Sequence, residues 1–264
     1  MLRATKTIIS RTIILFALIV AGALGAAEQP FAATSSPNVG LDQLMRMADF
    51  LAKLDQFSFQ QQSGYDVVQV SGQKIEFIES RKLVFDRPDK FRIDAEKSNG
   101  DSAVTTYDGK TMTILNLTRN LYASSEIKGD VDGAIIHIVQ KLKMRFPLAL
   151  LLVTTVPEEL KKRVLQVDIV ETRVVDGESC SHLAVQGDSV DFQVWLPTDG
   201  DPLPKRLILT YKLEEGQPQY WANFSDWKLS PDLPVSLFTL ELPKDATRMQ
   251  LLAESARTAI EGEK

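Results

Sequence analysis

The sequence predicts an α+β fold in which a strongly curved antiparallel sheet, an incomplete β-barrel, is closed by an N-terminal helix and a central helical insertion. Three observations carry this prediction. Apolar residues recur at helical spacing over 41–54, period-two alternation dominates residues 57–114 and 164–240, and a helical stripe separates these two stretches. A long antiparallel sheet can protect its inner face by curving around such helices.

The composition excludes several kinds of site. The 264 residues are 44% hydrophobic, enough to bury a core, and they include one Cys and two His. A single cysteine rules out an intrachain disulfide and a multi-cysteine metal site, and two histidines rule out a three-His zinc centre. The formal net charge of −5 argues against nucleic-acid binding. We therefore expect no metal, no cofactor and no nucleic-acid partner.

Residues 1–27 are typical of a secretory signal peptide. Three basic residues and no acidic one accompany an apolar run over 12–24, which is short for a membrane span, and small residues precede a cleavage point after Ala27 or as late as about residue 33. Cleavage after Ala27 would change the formal charge from −5 to −8. An uncleaved anchor is the competing interpretation. We expect a periplasmic protein with no stable transmembrane anchor after cleavage.

The remaining chain is predicted to hold one domain. Residues 28–38 are a small-residue linker, 39–245 form the domain, and 130–163 are the helical insertion within it. Residues 246–264 form a tail whose weak amphipathic pattern over 247–260 favours a helix. No Pro/Ser-rich linker divides the two halves of the domain.

The elements follow from periodicity. The apolar face of the first helix is predicted to contain Leu41, Leu44, Met45, Ala48, Leu51 and Leu54. A meander of strands follows, and its clearest hairpin signal is Asp108-Gly109, a pair that tolerates the positive φ of a type I′ turn. A short helical turn is expected over 157–163. The later strands are predicted at 164–175, 179–186, 191–196, 205–213, 220–227 and 235–240.

An apolar cavity is the most informative candidate site. The segment 146–153 begins at a proline break and is strongly apolar, a pattern shared by a plug or lid on a concave sheet and by a simple core helix. Aromatic residues on two later strands are more often part of an ordinary core or half-buried strand, and a cavity wall is the alternative. The candidate ligand-cavity residues are Phe146, Leu148, Leu151, Leu152, Trp195, Trp221 and Phe224.

Catalytic patterns are sparse. Cys180 and His182 stand two apart on a predicted strand, so the thiol and the imidazole would face the same side, as a nucleophile and a base must. The alternative is a buried thiol beside a half-buried imidazole. No third orienting group accompanies the pair. We therefore expect a protein that is not an enzyme, and we keep a Cys180/His182 hydrolase as the less favoured hypothesis.

The order of several short motifs resembles a bacterial family of predicted periplasmic proteins related in fold to the lipoprotein carriers LolA and LolB. The motifs are Arg87-Pro88-Asp89-Lys90-Phe91-Arg92, Tyr107-Asp108-Gly109-Lys110, Cys180-Ser181-His182-Leu183, Asp191-Phe192-Gln193-Val194-Trp195, Pro202-Leu203-Pro204-Lys205 and Pro218-Gln219-Tyr220. The resemblance covers about residues 40–250. It implies a half-barrel with an apolar cavity for acyl chains, in which Arg92 corresponds to an arginine at the cavity mouth that holds a helical lid closed.

Two functions follow as hypotheses. The first is a non-enzymatic periplasmic carrier or chaperone that binds an acyl chain, lipid or lipoprotein in the concavity of the half-barrel. The second is an assembly factor that uses the sheet surface to bind an envelope protein, without a lipid ligand.

Overall fold

The computed structural model describes residues 39–249, which form three α-helices, two short 3₁₀ helices and twelve strands. The α-helices are α1 (Val39–Ala52), α2 (Val131–Gln140) and α3 (Val156–Arg163), and the 3₁₀ helices are Ala149–Leu152 and Val235–Phe238. The strands are β1 (Gln56–Val68), β2 (Lys74–Asp86), β3 (Lys90–Lys97), β4 (Ser102–Tyr107), β5 (Thr111–Asn116), β6 (Leu121–Glu126), β7 (Val164–Val175), β8 (Glu178–Gly187), β9 (Val190–Pro197), β10 (Arg206–Tyr211), β11 (Gln219–Leu229) and β12 (Thr247–Arg248).

All twelve strands belong to one curved open sheet with the order β12-β6-β5-β4-β3-β2-β1-β11-β10-β9-β8-β7. Every pairing is antiparallel except that of β12 with β6. This architecture confirms the predicted fold class. Strands β6 and β7 lie near opposite ends of the sheet, so the segment that connects them crosses the sheet. This segment contains α2, the first 3₁₀ helix and α3.

Period-two alternation divides each strand between two faces. We call the face that carries the apolar core and the helices the inner face, and the opposite one the outer face. The first core cluster includes Phe57, Phe59, Phe85 and Ile135 and lies between the sheet, α2 and the first 3₁₀ helix. The second cluster includes residues of α1, α3 and the strands β7, β8 and β9. Burying each large apolar side chain contributes roughly 1.5–3 kcal/mol.

Helix α1 lies where the sequence predicts it, but its buried face is rotated. Leu44, Ala48 and Leu51 are buried as expected, whereas Leu41 is 37% exposed and Met47 is buried. The cause is the approach of the helix to β7: a Cβ on Gly40 would stand 3.0 Å from Val167. Glycine at position 40 allows this close contact.

The hairpin turn predicted at Asp108-Gly109 differs from the expected geometry. A hairpin does follow Tyr107, but only Gly109 has a positive φ (88°), and the Asp108 carboxylate accepts the backbone N–H groups of Lys110 and Thr111. The type I′ geometry predicted there is therefore wrong. It occurs instead at Asp176-Gly177, where φ is 49° and 81° and the flanking residues pair directly.

The C-terminal part departs from the prediction. Residues 235–240, predicted as a strand, contain the 3₁₀ helix Val235–Phe238, which packs on β3 with Phe238 buried. Thr247 and Arg248 form β12 and are not helical; residues 250–264 of the predicted tail, like the predicted signal peptide and linker, lie outside the described residues. Within residues 39–249, no helix is long and apolar enough to cross a membrane.

Candidate functional site

An apolar pocket of about 160 Å³ lies on the inner face, between α1, α3, strands β9 and β10 and the segment before α3. Its wall is almost wholly aliphatic or aromatic, and a few polar residues stand at its rim. The lining residues are Met47, Pro147, Leu148, Leu150, Leu151, Leu160, Arg163, Val164, Gly187, Asp188, Ser189, Val190, Phe192, Leu207, Leu209 and Tyr211. Such a wall suits a hydrocarbon group.

A second, much smaller apolar cavity of about 10 Å³ lies deeper in the concavity, against Phe57, Phe59 and Phe224. Leu148 and Leu151 line both cavities. These two side chains therefore form the partition between an open pocket and the aromatic centre of the sheet.

We define the lid as residues 146–155. It contains the 3₁₀ helix Ala149–Leu152, and Leu150 and Leu151 pack on both core clusters. Its local backbone hydrogen bonds are few, including Ala149 N–H to Phe146 O and Leu151 N–H to Leu148 O. Because a single 3₁₀ turn has little stability of its own, side-chain contacts must hold the lid in place.

Arg87 holds one end of the lid. Its Nη1 donates to the carbonyl oxygens of Leu51 (2.9 Å) and Leu54 (2.7 Å), and its Nη2 donates to that of Leu152 (2.8 Å). The guanidinium lies 5.2 Å from the centroid of the Phe57 ring. Burial lowers the pKa of Arg87, and the carboxylates of Asp132 and Asp55 oppose that effect. An arginine side chain stays charged in proteins, so one half-buried cation joins the end of α1 to the lid.

Two further contacts fasten the lid. The Asp132 carboxylate, on α2, accepts the backbone N–H of Thr154 at 2.9 Å and also its hydroxyl. Just before the lid, Arg145 donates to Glu214 at 2.9 Å and stacks 4.7 Å from the centroid of Tyr211, a pocket-lining residue. The lid is thus fixed at its two ends by polar contacts and in the middle by apolar ones.

A polar group of residues occupies the inner face beside the first cluster. Gln61, 2% exposed, donates to the Tyr220 hydroxyl at 2.8 Å, and Arg81 pairs with Glu79 at 2.9 Å. Arg81 also lies 5.6 Å from the ring centroid of Phe146, at the start of the lid. Burial raises the pKa of Tyr220 to about 12. The aromatic centre of the concavity is therefore bounded by neutral and paired polar groups.

The sequence-predicted cavity residues fall into two sets. Leu148 and Leu151 line both cavities, Leu152 and Phe224 line the smaller one, and Phe146 packs against the first cluster. Trp195 and Trp221 lie elsewhere. Their chain neighbours Val194 and Leu196, and Tyr220 and Ala222, belong to the inner core, so both tryptophans are on the outer face and do not line either cavity.

Arg92 also lies on the outer face, because Phe91 and Ile93 on either side of it belong to the inner core. Its guanidinium pairs with Asp94 at 2.8 Å and donates to Leu237 O at 3.2 Å, so it holds the C-terminal segment. The lid contact assigned to Arg92 by resemblance is made by Arg87. The sequence does indicate the face on which Arg87 lies, because Arg87 stands two residues after the inward-facing Phe85.

Cys180 and His182 have separate partners. The Cys180 thiol contacts Glu178 O at 3.6 Å, while His182 Nε2 is 2.9 Å from Gln193 Oε1 and its ring stacks 4.0 Å from that of Trp195. Burial, with a smaller contribution from Glu178, raises the pKa of the Cys180 thiol, which disfavours the thiolate. Among residues 39–249 no hydrogen bond joins the pair, and the structure gives no support to a nucleophile–base arrangement.

Comparison with known proteins identifies the family. The model for predicted periplasmic proteins called DUF2092 matches residues 42–252. The chain belongs to this family. The predicted resemblance to such a family is confirmed, and the description agrees with the export expected from residues 1–27. No match was found among curated proteins.

Several solved structures are similar to this DUF2092 protein. Lipoprotein LppX of Mycobacterium tuberculosis is 12% identical, with a TM-score of 0.46 over 75% of this chain and 99% of that one. MucB is 17% identical, with a TM-score of 0.41 over 76% of this chain and 62% of that one. A LolA superfamily protein from Nitrosomonas europaea is 12% identical, with a TM-score of 0.39 over 76% and 97%.

Proposed function

We propose that this DUF2092 protein is a non-enzymatic periplasmic carrier or chaperone that binds an acyl chain, of a lipid or a lipoprotein, under the lid. One observation carries the proposal: Leu148 and Leu151 alone of the lid residues separate an apolar pocket from a second apolar cavity against the aromatic sheet. Displacement of these two side chains would join the cavities into one continuous apolar space.

The pocket is too small to hold a whole acyl chain unless the lid moves. At about 160 Å³ the pocket is smaller than the roughly 300–1,000 Å³ of typical ligand sites, so it admits only part of a chain while the lid is in place. The lid is held by contacts that can break and form again. It contains a single 3₁₀ turn, its Leu152 carbonyl accepts a hydrogen bond from Arg87, and its Thr154 N–H donates to Asp132. We infer that the closed lid represents the unloaded form.

The proposed location rests on two observations. Residues 1–27 have the pattern of a secretory signal, and the family is described as predicted periplasmic. The mature chain would then be acidic and soluble around an apolar pocket, as a carrier that crosses an aqueous compartment must be.

A fluorescent acyl probe such as cis-parinaric acid tests the proposal. The mature protein should bind the probe with a dissociation constant in the micromolar range, near −8 kcal/mol. Leu209→Trp, which fills the pocket, should weaken binding by about tenfold or more. Leu165→Trp makes the same change at a side chain that is 70% exposed and should bind as the wild type does. Absence of binding, or equal binding by all three proteins, would overturn the proposal.

The exposed edge of the sheet favours a second candidate, an envelope assembly factor. Strand β7 ends the sheet order and exposes Leu165 (70%) and Val174 (67%), so its free backbone groups could pair with an added strand. A photocrosslinking residue at position 165 should then capture one dominant envelope protein in cells. A diffuse pattern equal to that from exposed position 213 would exclude this function.

A further inference from the structure

The outer face carries a second pocket that the carrier function does not use. Its volume is about 620 Å³, and it lies between the tip of the β7–β8 hairpin and strands β9, β10, β11 and β1. We call it the outer pocket. Its wall includes Arg173, Asp176, Trp195, Arg206 and Asn223. Because Arg206 and Trp195 alternate with inner residues along their strands, the sheet separates this pocket from the lid.

Arg206 is the central cation of the outer pocket. Its guanidinium lies 5.7 Å from the ring centroid of Trp195 and 5.6 Å from that of Trp221, and Nη1 donates to Asn223 Oδ1 at 2.6 Å. Within residues 39–249, no carboxylate oxygen comes within 4.0 Å of it. The two tryptophans and Asn223 therefore hold a charged, planar donor in a fixed position while leaving its charge unpaired.

Other residues of the pocket wall have hydrogen-bond donors that lack an acceptor. Trp195 is 5% exposed, and its indole Nε1 is buried without a hydrogen-bond partner among the described residues. Arg173, also in the wall, reaches its nearest carboxylate, Glu171, only at 4.0 Å. Since Asn223 Oδ1 already accepts from Arg206, the amide nitrogen of Asn223 is left to donate. Against these donors the wall offers one acidic residue, Asp176.

We propose that the outer pocket binds a small soluble molecule bearing an oxyanion, a carboxylate or a phosphate, on Arg206. A planar guanidinium pairs with both groups through two parallel hydrogen bonds. The volume of about 620 Å³ is that of an ordinary ligand site, large enough for such a molecule with an attached ring or chain. The site is independent of the lid, so the protein would bind this ligand whether or not it carries an acyl chain.

Nuclear magnetic resonance of the indole N–H groups tests the site. The chain has three tryptophans, so a spectrum of the ¹⁵N-labelled mature protein contains three indole signals, and Trp195→Phe assigns the relevant one. Inorganic phosphate, glycerol 3-phosphate, acetate and glucuronate are the probes. At least one should shift the Trp195 signal in a saturable manner with a dissociation constant of about 1 mM or less. The phosphate and carboxylate probes together show which oxyanion is preferred.

Two variants decide the assignment. Arg206→Gln and Asn223→Asp should each weaken binding at least tenfold, the second because its new carboxylate would pair with Arg206 and leave the packing of the sheet intact. Arg119→Gln, at an exposed pair with Asp101, should bind as the wild type does. An unchanged Trp227 signal verifies the fold. No saturable shift with any probe, or equal shifts in the wild type and Asn223→Asp, overturns the proposal, and neither result bears on acyl-chain binding.

Discussion

Arg87 and Leu152 are joined by a hydrogen bond of 2.8 Å from the guanidinium Nη2 to the backbone carbonyl oxygen. The other terminal nitrogen of the same side chain donates to Leu51 and Leu54 at the end of α1. One side chain therefore couples the position of the lid to that of the first helix. Movement of the lid must break this bond or carry α1 with it.

Arg87→Met should release the lid. The substitution keeps an apolar side chain but removes the guanidinium, which lies over the Phe57 ring and donates to the carbonyl oxygens of Leu51, Leu54 and Leu152. Each buried acceptor that is left without a partner costs about 1–3 kcal/mol. We expect a loss of about 3 kcal/mol in the free energy of unfolding, together with much faster amide hydrogen exchange over 147–155. Urea denaturation and hydrogen-exchange mass spectrometry measure the two effects.

Arg92→Met is the matched control. Arg92 contacts Asp94 and Leu237 on the outer face, so its loss should accelerate exchange near 235–238 and leave the lid protected. Equal lid protection in Arg87→Met and in the wild type would contradict the role given to Arg87.

Asp132→Asn should loosen the C-terminal end of the lid at Thr154, two residues beyond the Arg87 contact. Asn retains one acceptor for Thr154 but loses the charge that strengthens both hydrogen bonds. We expect about 1 kcal/mol less protection, or exchange roughly fivefold faster, at the amide of Thr154. Asp130→Asn, two residues earlier, should change little, because Asp130 caps α2 and Asn caps helices equally well. The same acceleration in both variants would refute a specific Asp132–Thr154 latch.

Tyr220 should make the fold sensitive to alkali. Its pKa is raised to about 12 by burial, whereas an exposed tyrosine titrates near pH 10. Between about pH 10 and pH 12 the unfolded chain therefore loses a proton that the folded chain keeps. This contribution to stability is complete below pH 10 and falls by roughly 3 kcal/mol as the pH rises to 12. Tyr220→Phe should lack this component when urea midpoints are measured across the range; an identical slope in both proteins would disprove the assignment.

Gly64→Ala should disturb the outer face. A Cβ at position 64 would lie 2.5 Å from Nε1 of Trp221, whose indole N–H donates to Glu76 at 2.7 Å. We expect a loss of about 1–3 kcal/mol in the free energy of unfolding, because the ring must move off its contacts. Gly133→Ala, inside α2, meets only Asp130 Oδ1 at 3.3 Å and should be neutral or stabilising. A neutral Gly64→Ala variant would contradict the packing of Trp221 on Gly64.

The periodicity of the sequence predicts the sheet well, because inner and outer residues alternate along nearly every strand. It fails at 235–240, where apolar residues at 235, 237, 238 and 240 suggest a strand, but the segment follows Pro234 and pairs with none of the strands within residues 39–249. A short run of apolar residues does not distinguish a strand from an irregular segment that packs on one face of the sheet. The burial of Phe238, in a segment that packs on β3, therefore cannot be predicted from local periodicity.

The candidate site, like the sheet, is predicted by the sequence only in part. The short apolar run after Pro147 predicts Leu148 and Leu151 as cavity residues, and both line the two inner cavities. Trp195 and Trp221 are predicted as cavity residues but lie on the outer face. Alternation places Trp195 opposite Val194, but it does not show which of the two faces is the concave one. The spacing of Arg87 from Phe85 indicates the face on which Arg87 lies but not its partners, because these are backbone carbonyl groups that no sequence motif displays.

The most direct test of the carrier function is the lipid content of the protein itself. Mature wild-type protein and Leu209→Trp would be purified without detergent, incubated with vesicles of total envelope lipid, separated from them and analysed by native mass spectrometry and by mass spectrometry of organic extracts. Binding under the lid predicts about one acyl-containing molecule per wild-type protein and strong depletion in Leu209→Trp. A wild-type protein free of lipid after this incubation, with its fold intact, would contradict the account.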